Sequence, residues 1–103
     1  MTYKIFVTQN FELDLDAALS YISDKLMNPV VAKNLLQLTE KAVSQIGENP
    51  TLYALYHDER VSKKGYHFVT VKNYLIFYRI DENEKVVHIL RFLYGKQNVS
   101  DIF

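Results

Sequence analysis

The residues of this sequence that could carry chemistry lie mostly in its C-terminal half. They are His57, Arg60, Lys63, Lys64, His67, Lys72, Arg79, Arg91, Lys96 and Gln97. Cleavage of RNA through its 2′-hydroxyl needs a general base, a general acid and cations that stabilise the charged phosphorane, and side chains of these types on one sheet could supply them. A structural role is the alternative: the arginines would form salt bridges or cover strand edges, and the lysines would keep a loop soluble.

Motifs of other enzyme classes are absent from the sequence. It contains no Gly-rich phosphate loop, no His-Glu-x-x-His and no Gly-x-Ser-x-Gly. It has no cysteine, and His57, His67 and His88 are too scattered along the chain to predict a metal cluster. We therefore expect no cofactor and no metal. His88 falls in an apolar strand, where a packed residue is the expected role.

A chain of 103 residues with 49% hydrophobic content fits a single domain, residues 1–103. Its formal net charge is zero, yet residues 1–59 hold four Lys and eight Asp/Glu, whereas residues 60–103 hold five Lys, three Arg and four Asp/Glu. The positive half could attract a phosphate backbone or an acidic partner, or be an ordinary solvated surface. Uninterrupted apolar runs reach only five residues, so we expect no membrane span, and the lack of cysteine favours the cytoplasm.

The N-terminal half predicts one strand followed by two helices. Residues 3–8 are rich in aromatic and β-branched types and form the strand. Asn10 is the predicted N-cap of the first helix, Asn28-Pro29 separates the two helices, and Gly47 is the predicted end of the second. The apolar faces comprise Leu15, Ala18, Leu19, Ile22 and Leu26 in the first helix and Ala32, Leu35, Leu36, Thr39, Val43 and Ile46 in the second. These helices form a hairpin that must pack on another apolar layer.

The C-terminal half predicts that layer, an antiparallel sheet. Leu52–Tyr56 is a short strand candidate, and residues 57–65 are a polar, flexible stretch. Three stronger strands follow, at Tyr66–Val71, Tyr74–Ile80 and Lys85–Tyr94, joined by short turns. The predicted fold is therefore α+β, with an N-terminal strand, a helical hairpin and then an antiparallel meander sheet.

Both faces of this predicted sheet are largely apolar. In the last strand, strict alternation puts Val87, Ile89, Arg91 and Leu93 on one face and Val86, His88, Leu90 and Phe92 on the other. The helices would cover one face of the sheet, and the C-terminal tail or a partner protein would cover the other.

Three segments of the sequence resemble a known protein family. They are Gly65-Tyr66-His67, residues 73–80 (Asn-Tyr-Leu-Ile-Phe-Tyr-Arg-Ile) and residues 89–97 (Ile-Leu-Arg-Phe-Leu-Tyr-Gly-Lys-Gln). Over its full length, the chain resembles the RelE/ParE superfamily of bacterial toxins from type II toxin–antitoxin modules. The resemblance implies a RelE/ParE-like fold, a cytoplasmic bacterial location and a tightly bound cognate antitoxin encoded by a neighbouring gene.

The resemblance also implies one of two targets. RelE-like toxins cut messenger RNA in the ribosomal A site, whereas ParE-like toxins poison DNA gyrase. The RelE-like catalytic positions correspond here to Leu75, Gln97 and Phe103, which offer neither a useful acid nor a positive charge. The ParE-like branch is therefore favoured, with DNA gyrase as the expected partner. The alternatives are a ribosome-dependent mRNA endoribonuclease in which His57, His67 or a lysine acts as acid or base, and a non-toxic member that only binds antitoxin.

Four residues match basic positions of the family. Arg79, Arg91 and Lys96 are cations at such positions, and His67 occupies a place where the family often has arginine. The resemblance implies that these four form a basic, target-binding surface. The antitoxin would lay a helix and an extended segment on apolar surface between the helical hairpin and the sheet. No catalytic residue is assigned, so whether the chain is an enzyme stays open.

Overall fold

The computed structural model describes residues 2–103, in which a four-stranded sheet carries two long helices on one face and the C-terminal tail with a short helix on the other. The strands are β1 (Lys4–Val7), β2 (His67–Val71), β3 (Tyr74–Asp81) and β4 (Val86–Tyr94), and the helices are α1 (Gln9–Ser20), α2 (Pro29–Glu48), α3 (Glu59–Ser62) and α4 (Val99–Ile102). The sheet order is β1-β4-β3-β2, with β1 parallel to β4 and the other pairs antiparallel. This arrangement confirms the predicted α+β fold. Within the described range, no helix is both long enough and apolar enough to cross a membrane.

The first helix begins earlier than the sequence predicts. Thr8, not Asn10, is its N-cap, because the Thr8 hydroxyl oxygen accepts a hydrogen bond from the Phe11 N–H at 3.2 Å. The same hydroxyl donates to the Leu90 carbonyl at 2.9 Å, which ties the start of α1 to β4. After α1 the helix widens into a π-helical turn at Tyr21–Lys25. As predicted, the two helices are separated at Asn28-Pro29, and Pro29 is the first residue of α2. Asn28 is the N-cap of α2, and its side-chain oxygen accepts the Val31 N–H at 3.3 Å.

Gly47 does not end the second helix as predicted, because α2 continues to Glu48. Gly47 is buried against β1, where a Cβ atom on it would lie 2.5 Å from Ile5 Cδ1. The Gly47 carbonyl also accepts the Tyr3 N–H at 2.9 Å. The glycine therefore permits the close approach of the N-terminal strand to the helix.

The segment between α2 and β2 differs most from its prediction. The strand expected at Leu52–Tyr56 is wrong: residues Pro50–Leu52 form a 3₁₀ turn, and Leu55 makes a single bridge to His67. The polar stretch 57–65 contains the short helix α3, which Asp58 caps by accepting the Arg60 N–H at 2.9 Å. The three strong strands begin and end within one residue of their predicted limits.

Two apolar clusters lie on the two faces of the sheet. The helix-facing cluster contains Phe11, Ala18, Leu35, Ala42, Ile46, Val71, Ile76, Tyr78, Val87, Ile89 and Phe92. The tail-facing cluster contains Val61, Phe77, Leu93 and Val99, with Tyr56, Tyr66, Phe68, Leu75, Leu90, Ile102 and Phe103 packed against it. The prediction of a sheet covered on both faces is confirmed, and the C-terminal tail together with α3 supplies the second cover.

A β-bulge interrupts the pairing of β3 with β4. Phe77 lies opposite Arg91, while the next residue, Tyr78, lies opposite Ile89. Leu90 is therefore the extra residue of β4. A bulge of this kind bends the strand and redirects the side chains that follow it.

The bulge reverses the alternation of β4 after Ile89. Phe92 belongs to the helix-facing cluster with Val87 and Ile89, whereas Leu93 belongs to the tail-facing cluster. The prediction that Leu93 shares a face with Val87 is therefore wrong. Strict alternation cannot reveal an inserted residue, because the sequence on both sides of the bulge still reads as a regular strand.

Candidate partner-binding site

Arg91 is held by an ion pair with α1. Its Nε donates to Asp14 Oδ2 at 2.7 Å and its Nη2 donates to Asp14 Oδ1 at 2.9 Å. These contacts raise the pKa of Arg91 above its ordinary value, chiefly through the hydrogen bonds that its guanidinium donates to the Asp14 carboxylate. The Arg91 and Asp14 side chains are only 26% and 18% exposed. Arg91 is therefore committed to an intramolecular contact.

Asp14 has a second role at the same place. Its Oδ2 accepts the backbone N–H of Phe92 at 3.1 Å. Strand β1 pairs with β4 only as far as Ile89, so the edge of β4 beyond the bulge has no strand beside it. The carboxylate therefore accepts from a backbone N–H that has no strand partner and also holds the Arg91 guanidinium. Asp14 is not among the residues that the sequence analysis singles out, because no local signal marks its partner.

Arg79 lies on the tail-facing side of the sheet, beyond the part that the tail covers. It stands opposite His88 in the pairing of β3 with β4, and His88 stands opposite Phe6 in β1. The Phe6 and His88 rings are 5.6 Å apart, and Phe6 is 57% exposed. Within residues 2–103, Arg79 forms no ion pair. This row presents a cation, an imidazole and an aromatic ring on one accessible strip.

His67 lies on the opposite, helix-facing side. Its ring stacks on the buried Tyr78 ring at a centroid distance of 5.1 Å and an interplanar angle of 15°. Its Nδ1 is 2.7 Å from the Tyr53 carbonyl oxygen, which can only accept, so this nitrogen carries the proton. Tyr78 in turn donates its hydroxyl to the Pro50 carbonyl at 2.7 Å, and burial raises the pKa of Tyr78. His67 thus helps to hold the 50–56 segment onto the sheet.

The tail begins with the exposed Lys96 and continues into α4. The side-chain oxygen of Gln97 accepts the Tyr94 N–H at 2.8 Å, so its polar end is used in the turn. The Phe103 ring packs edge-on against Tyr66 and Phe77, each at 5.0 Å. Leu75 joins the same cluster. Leu75 and Phe103 are therefore used in packing, and Gln97 is used in a turn hydrogen bond.

Polar contacts fasten the tail from α3. Arg60 pairs with Asp58 at 3.2 Å and also donates to the Ser100 hydroxyl, and Lys64 donates to the backbone oxygen of Phe103. The hydrogen bonds from Arg60 hold the pKa of Asp58 below its usual range. These residues belong to the polar stretch that was predicted to be flexible. Arg60 and Lys64 therefore hold the tail in place, a structural role that residue type alone does not reveal.

The four predicted site residues do not form one surface. Arg79 and His67 lie on opposite faces of the sheet, Arg91 is turned toward α1, and Lys96 is in the turn before the tail. Among residues 2–103, no three His, Asp or Glu side chains come together in a way that could hold a metal ion.

An open apolar groove runs along the helix side of the molecule, and we call it the hairpin groove. Three adjoining cavities of about 350, 650 and 590 Å³ form it. Its apolar and aromatic lining residues are Tyr21, Ile22, Leu26, Val31, Leu35, Leu38, Ala42, Val69, Val71, Tyr74 and Tyr94. Its polar lining residues are Asn28, Asn34, Gln37, Lys41, Gln45, Thr70, Lys72 and Asn73. Exposed apolar side chains at the hairpin tip extend this surface, notably Met27 and Val30. A surface of this kind marks a partner-binding site.

Tyr74 forms the centre of the groove floor. Its ring stacks on Phe92 at a centroid distance of 4.8 Å and meets Tyr94 edge-on at 5.7 Å. Partial burial is the main cause that raises the pKa of Tyr74. The aromatic residues of the meander therefore pack on one another, and Tyr94 remains 38% exposed beside the groove.

Comparisons with known proteins identify the family. The family model described as "ParE toxin of type II toxin-antitoxin system, parDE" matches residues 5–99. A search of curated protein sequences finds no significant match.

Solved structures share the fold. The chain is similar to a structure titled as the chromosomal ParDE system from P. aeruginosa, with a TM-score of 0.74 and 20% identity over 92% of this chain and 98% of that chain. It is similar to the RelBE2 toxin–antitoxin complex of Mycobacterium tuberculosis, with a TM-score of 0.61 and 20% identity over 91% and 99% of the two chains. It is also similar to the archaeal RelE–RelB complex of Pyrococcus horikoshii OT3, with a TM-score of 0.52 and 12% identity over 94% and 99%. The match to the family model spans nearly the whole sequence, and the chain therefore belongs to the ParE toxin family of type II toxin–antitoxin systems.

Proposed function

We propose that this chain is a growth-inhibiting toxin that acts in the bacterial cytoplasm by binding DNA gyrase and is neutralised by a cognate antitoxin. The observation that carries the non-catalytic mechanism is the packing of Leu75 and Phe103 in the tail-facing cluster. General acid–base cleavage of RNA requires titratable side chains within hydrogen-bond reach of the scissile phosphate. An apolar cluster at the positions that match a nuclease site cannot supply them.

The target-binding surface in this proposal rests on Arg79 and Lys96. Arg91 and His67 are engaged inside the molecule, so they position other groups rather than contact a target. Arg79 stands beside His88 and the exposed Phe6, which adds apolar contact to a charge. Interface hot spots are enriched in arginine and aromatic residues. The strip around Arg79 therefore fits a protein surface.

The antitoxin in this proposal occupies the hairpin groove. The groove is apolar along its floor and carries Lys41 and Lys72 at one end, which suits an amphipathic segment with acidic side chains. The solved toxin–antitoxin complexes of similar fold support a partner of this class. An antitoxin that folds as it binds would also cover the exposed apolar tip of the hairpin.

A supercoiling assay with purified gyrase tests the proposal directly. The wild-type chain should inhibit supercoiling, and Arg79→Ala combined with Lys96→Ala should raise the inhibitory concentration by about tenfold or more. Lys63→Ala is the matched control, since Lys63 is an exposed cation whose partner is Glu59, four residues before it. Circular dichroism would establish that each variant is folded.

Expression of the chain alone in a bacterium separates the alternatives. A DNA-damage response with altered plasmid supercoiling supports gyrase as the target. Codon-linked cuts in translated messages, mapped by primer extension, would instead identify a ribosome-dependent endoribonuclease. Unchanged growth with intact antitoxin binding would identify a non-toxic family member.

A further inference from the structure

Strand β1 forms one edge of the sheet, with β4 as its neighbour on the inner side. The Lys4 and Thr8 N–H groups each donate to a β4 carbonyl at 3.0 Å, so the N–H and C=O groups of Ile5 and Val7 point outward, away from β4. Within residues 2–103, no hydrogen bond uses these outward groups. An edge with free backbone groups is a template for pairing with another chain.

Apolar side chains border these free backbone groups. Ile5 is 38% exposed and Phe6 is 57% exposed. Proteins protect exposed edges with charges, proline or bulges, whereas β1 has no proline, pairs regularly with β4 and carries its one charge at Lys4. The edge is therefore suited to pairing rather than protected against it.

The edge is short and is bounded at both ends. At its start, the Tyr3 N–H already donates to the Gly47 carbonyl of α2 at 2.9 Å. At its end, α1 continues in the direction of β1, because Asp14 of α1 accepts the N–H of Phe92 farther along β4. A pairing strand is therefore limited to about the length of β1 itself.

Strand β1 of a second copy satisfies the edge in one register. Antiparallel strands exchange two hydrogen bonds wherever two outward-pointing residues lie opposite each other. With Ile5 opposite Val7 of the second copy, and Val7 opposite its Ile5, every outward N–H and C=O of both strands is paired. Placing Ile5 opposite Ile5 leaves Val7 facing Tyr3, whose N–H is already taken, and placing Val7 opposite Val7 leaves Ile5 facing Gln9, the first residue of α1. The two-fold axis of the favoured register passes between the two Phe6 residues, as an isologous contact requires.

Charge supports the same register. Lys4 lies opposite Thr8 of the second copy, next to the start of its α1, where Glu12 and Asp16 are exposed. Within residues 2–103, none of Lys4, Glu12 and Asp16 forms an ion pair. Antiparallel pairing therefore brings unlike charges together at both ends of the contact. A shift that put Lys4 opposite Lys4 would instead place like charges together, which disfavours pairing.

We propose that two copies of this chain pair through the outer edges of their β1 strands in this register, which joins the two four-stranded sheets into one. The inference goes beyond the proposed function and does not depend on it. The dimer places Phe6, His88 and Arg79 of both copies in one continuous row across the two-fold axis. Two short strands bury little surface, so the dimer is weak and forms only as the concentration rises.

Disulfide trapping tests the register. The sequence has no cysteine, so a single introduced cysteine reports the contact alone. Residues opposite each other in a non-hydrogen-bonded antiparallel pair have Cα atoms about 4.5 Å apart, a distance that a disulfide spans. Phe6→Cys should therefore cross-link into a dimer at least tenfold faster than Lys4→Cys, because the two Lys4 residues are roughly 13 Å apart in this register. Lys33→Cys, at an exposed position on α2, measures the rate of chance collision.

Sedimentation velocity and amide exchange on the unmodified chain provide the second measurement. The chain should pass from monomer to dimer between roughly 10 μM and 1 mM. Where about nine-tenths of the chain is dimeric, the Ile5 and Val7 amides should exchange roughly tenfold more slowly than in the monomer. The Lys4 and Thr8 amides should keep their rates, since they are bonded to β4 in either state.

Substitutions separate the backbone contribution from the charge contribution. Val7→Pro removes an outward N–H that makes no bond inside the chain, and edge strands accept proline. It should weaken dimerisation roughly tenfold relative to Val7→Ala, which shortens the same side chain but keeps the N–H. Lys4→Glu should weaken dimerisation roughly fivefold, and adding Glu12→Lys should restore most of that loss. Circular dichroism would establish that each variant is folded.

Three results would overturn the inference. They are a chain that stays monomeric up to roughly 1 mM, a dimer whose Ile5 and Val7 amides are unprotected, and cross-linking of Lys4→Cys as fast as that of Phe6→Cys. Protection of these amides that appears only when an antitoxin is added would assign the edge to that partner and overturn the dimer as well. Gyrase inhibition is measured separately, so its presence or absence leaves the dimer to be decided by these measurements.

Discussion

Removal of the Arg91 side chain should destabilise the fold measurably. Exposed ion pairs contribute about 0.2–1 kcal/mol, and breaking a fully buried pair costs about 3–5 kcal/mol. The Arg91–Asp14 pair lies between these limits, because it is bidentate at 2.7 and 2.9 Å and its side chains are 26% and 18% exposed. We therefore expect Arg91→Ala to lower the free energy of unfolding by about 2 kcal/mol and the melting temperature by roughly 10 °C.

Asp14→Ala should cost more than Arg91→Ala, because it also leaves the Phe92 N–H without its acceptor. We expect a total loss of about 3 kcal/mol for Asp14→Ala, and a coupling energy of about 1–2 kcal/mol in the double-mutant cycle. Urea denaturation followed by circular dichroism measures all three variants. Asp14→Asn retains an oxygen acceptor, so its stability should fall between that of Asp14→Ala and that of the wild type.

Lys63→Ala is the matched control for this cycle. Its ion pair with Glu59 is 3.4 Å long with both side chains strongly exposed, so its removal should change stability by less than about 0.5 kcal/mol. If Arg91→Ala lowers the free energy of unfolding no more than this control does, or if the double-mutant cycle shows no coupling energy, the Arg91–Asp14 ion pair does not hold the bulge of β4 in place. A growth assay of Arg91→Ala tests the role of Arg91 in toxicity only if the variant is folded, because an unfolded variant would lose toxicity for that reason alone.

Three further predictions address other parts of the fold. In an Ile5→Ala variant, the further change Gly47→Ala should raise the free energy of unfolding, measured by urea denaturation, by about 1 kcal/mol. The reason is that the Ile5 Cδ1 atom, which would lie 2.5 Å from the new Cβ, is absent and that alanine favours a helix more than glycine does. A further loss of stability would contradict the close-approach role of Gly47. Because the pKa of Tyr78 is raised in the folded protein, the stability that its neutral hydroxyl contributes is fully present below its unfolded pKa near 10 and is lost as pH rises above that value. If Tyr78→Phe unfolds at the same alkaline pH as the wild type, Tyr78 is not the cause of alkaline unfolding. The lowered pKa of Asp58 means that the stability contributed by this carboxylate is present above its unfolded pKa and is lost as pH falls through its folded pKa. Amide protection factors in residues 99–103, taken relative to the intrinsic exchange rate at each pH, should therefore fall in acid and in Asp58→Asn at neutral pH; unchanged protection factors would show that the tail does not depend on this contact.

The fold was largely predictable because most of its pattern is local. Helical periodicity located both long helices, and the runs of β-branched and aromatic residues located the three long strands to within one residue. The errors fall where a distant contact overrides a local preference. Thr8 replaces Asn10 as the cap because it also reaches β4, and Gly47 sits within a helix because Ile5 packs on it. Leu52–Tyr56 fails as a strand because Pro50 starts a turn whose carbonyl accepts the Tyr78 hydroxyl.

The candidate site was less predictable, because exposure and pairing are properties of the assembled molecule. Arg79 and Arg91 look alike in sequence, each an arginine within an apolar strand. The bulge at Leu90 turns Arg91 toward α1, whereas Arg79 stays on the regular part of the sheet. Lys41 and Lys72 are far apart along the chain, and only the packing of α2 beside the turn after β2 brings them to one cavity.

The proposed target and antitoxin surfaces lie on different faces of the sheet, which constrains how neutralisation works. The hairpin groove opens on the helix side, while Arg79 lies on the tail-facing side. A partner confined to the groove would leave Arg79 accessible to a target. Strand β2 is an edge strand adjacent to β3, the strand that carries Arg79, so a segment along its outer edge leads from one face toward the other. Neutralisation by direct masking therefore requires the antitoxin to continue past the outer edge of β2, and an antitoxin that ends in the groove would have to act by holding the toxin in a conformation or complex that the target cannot accept.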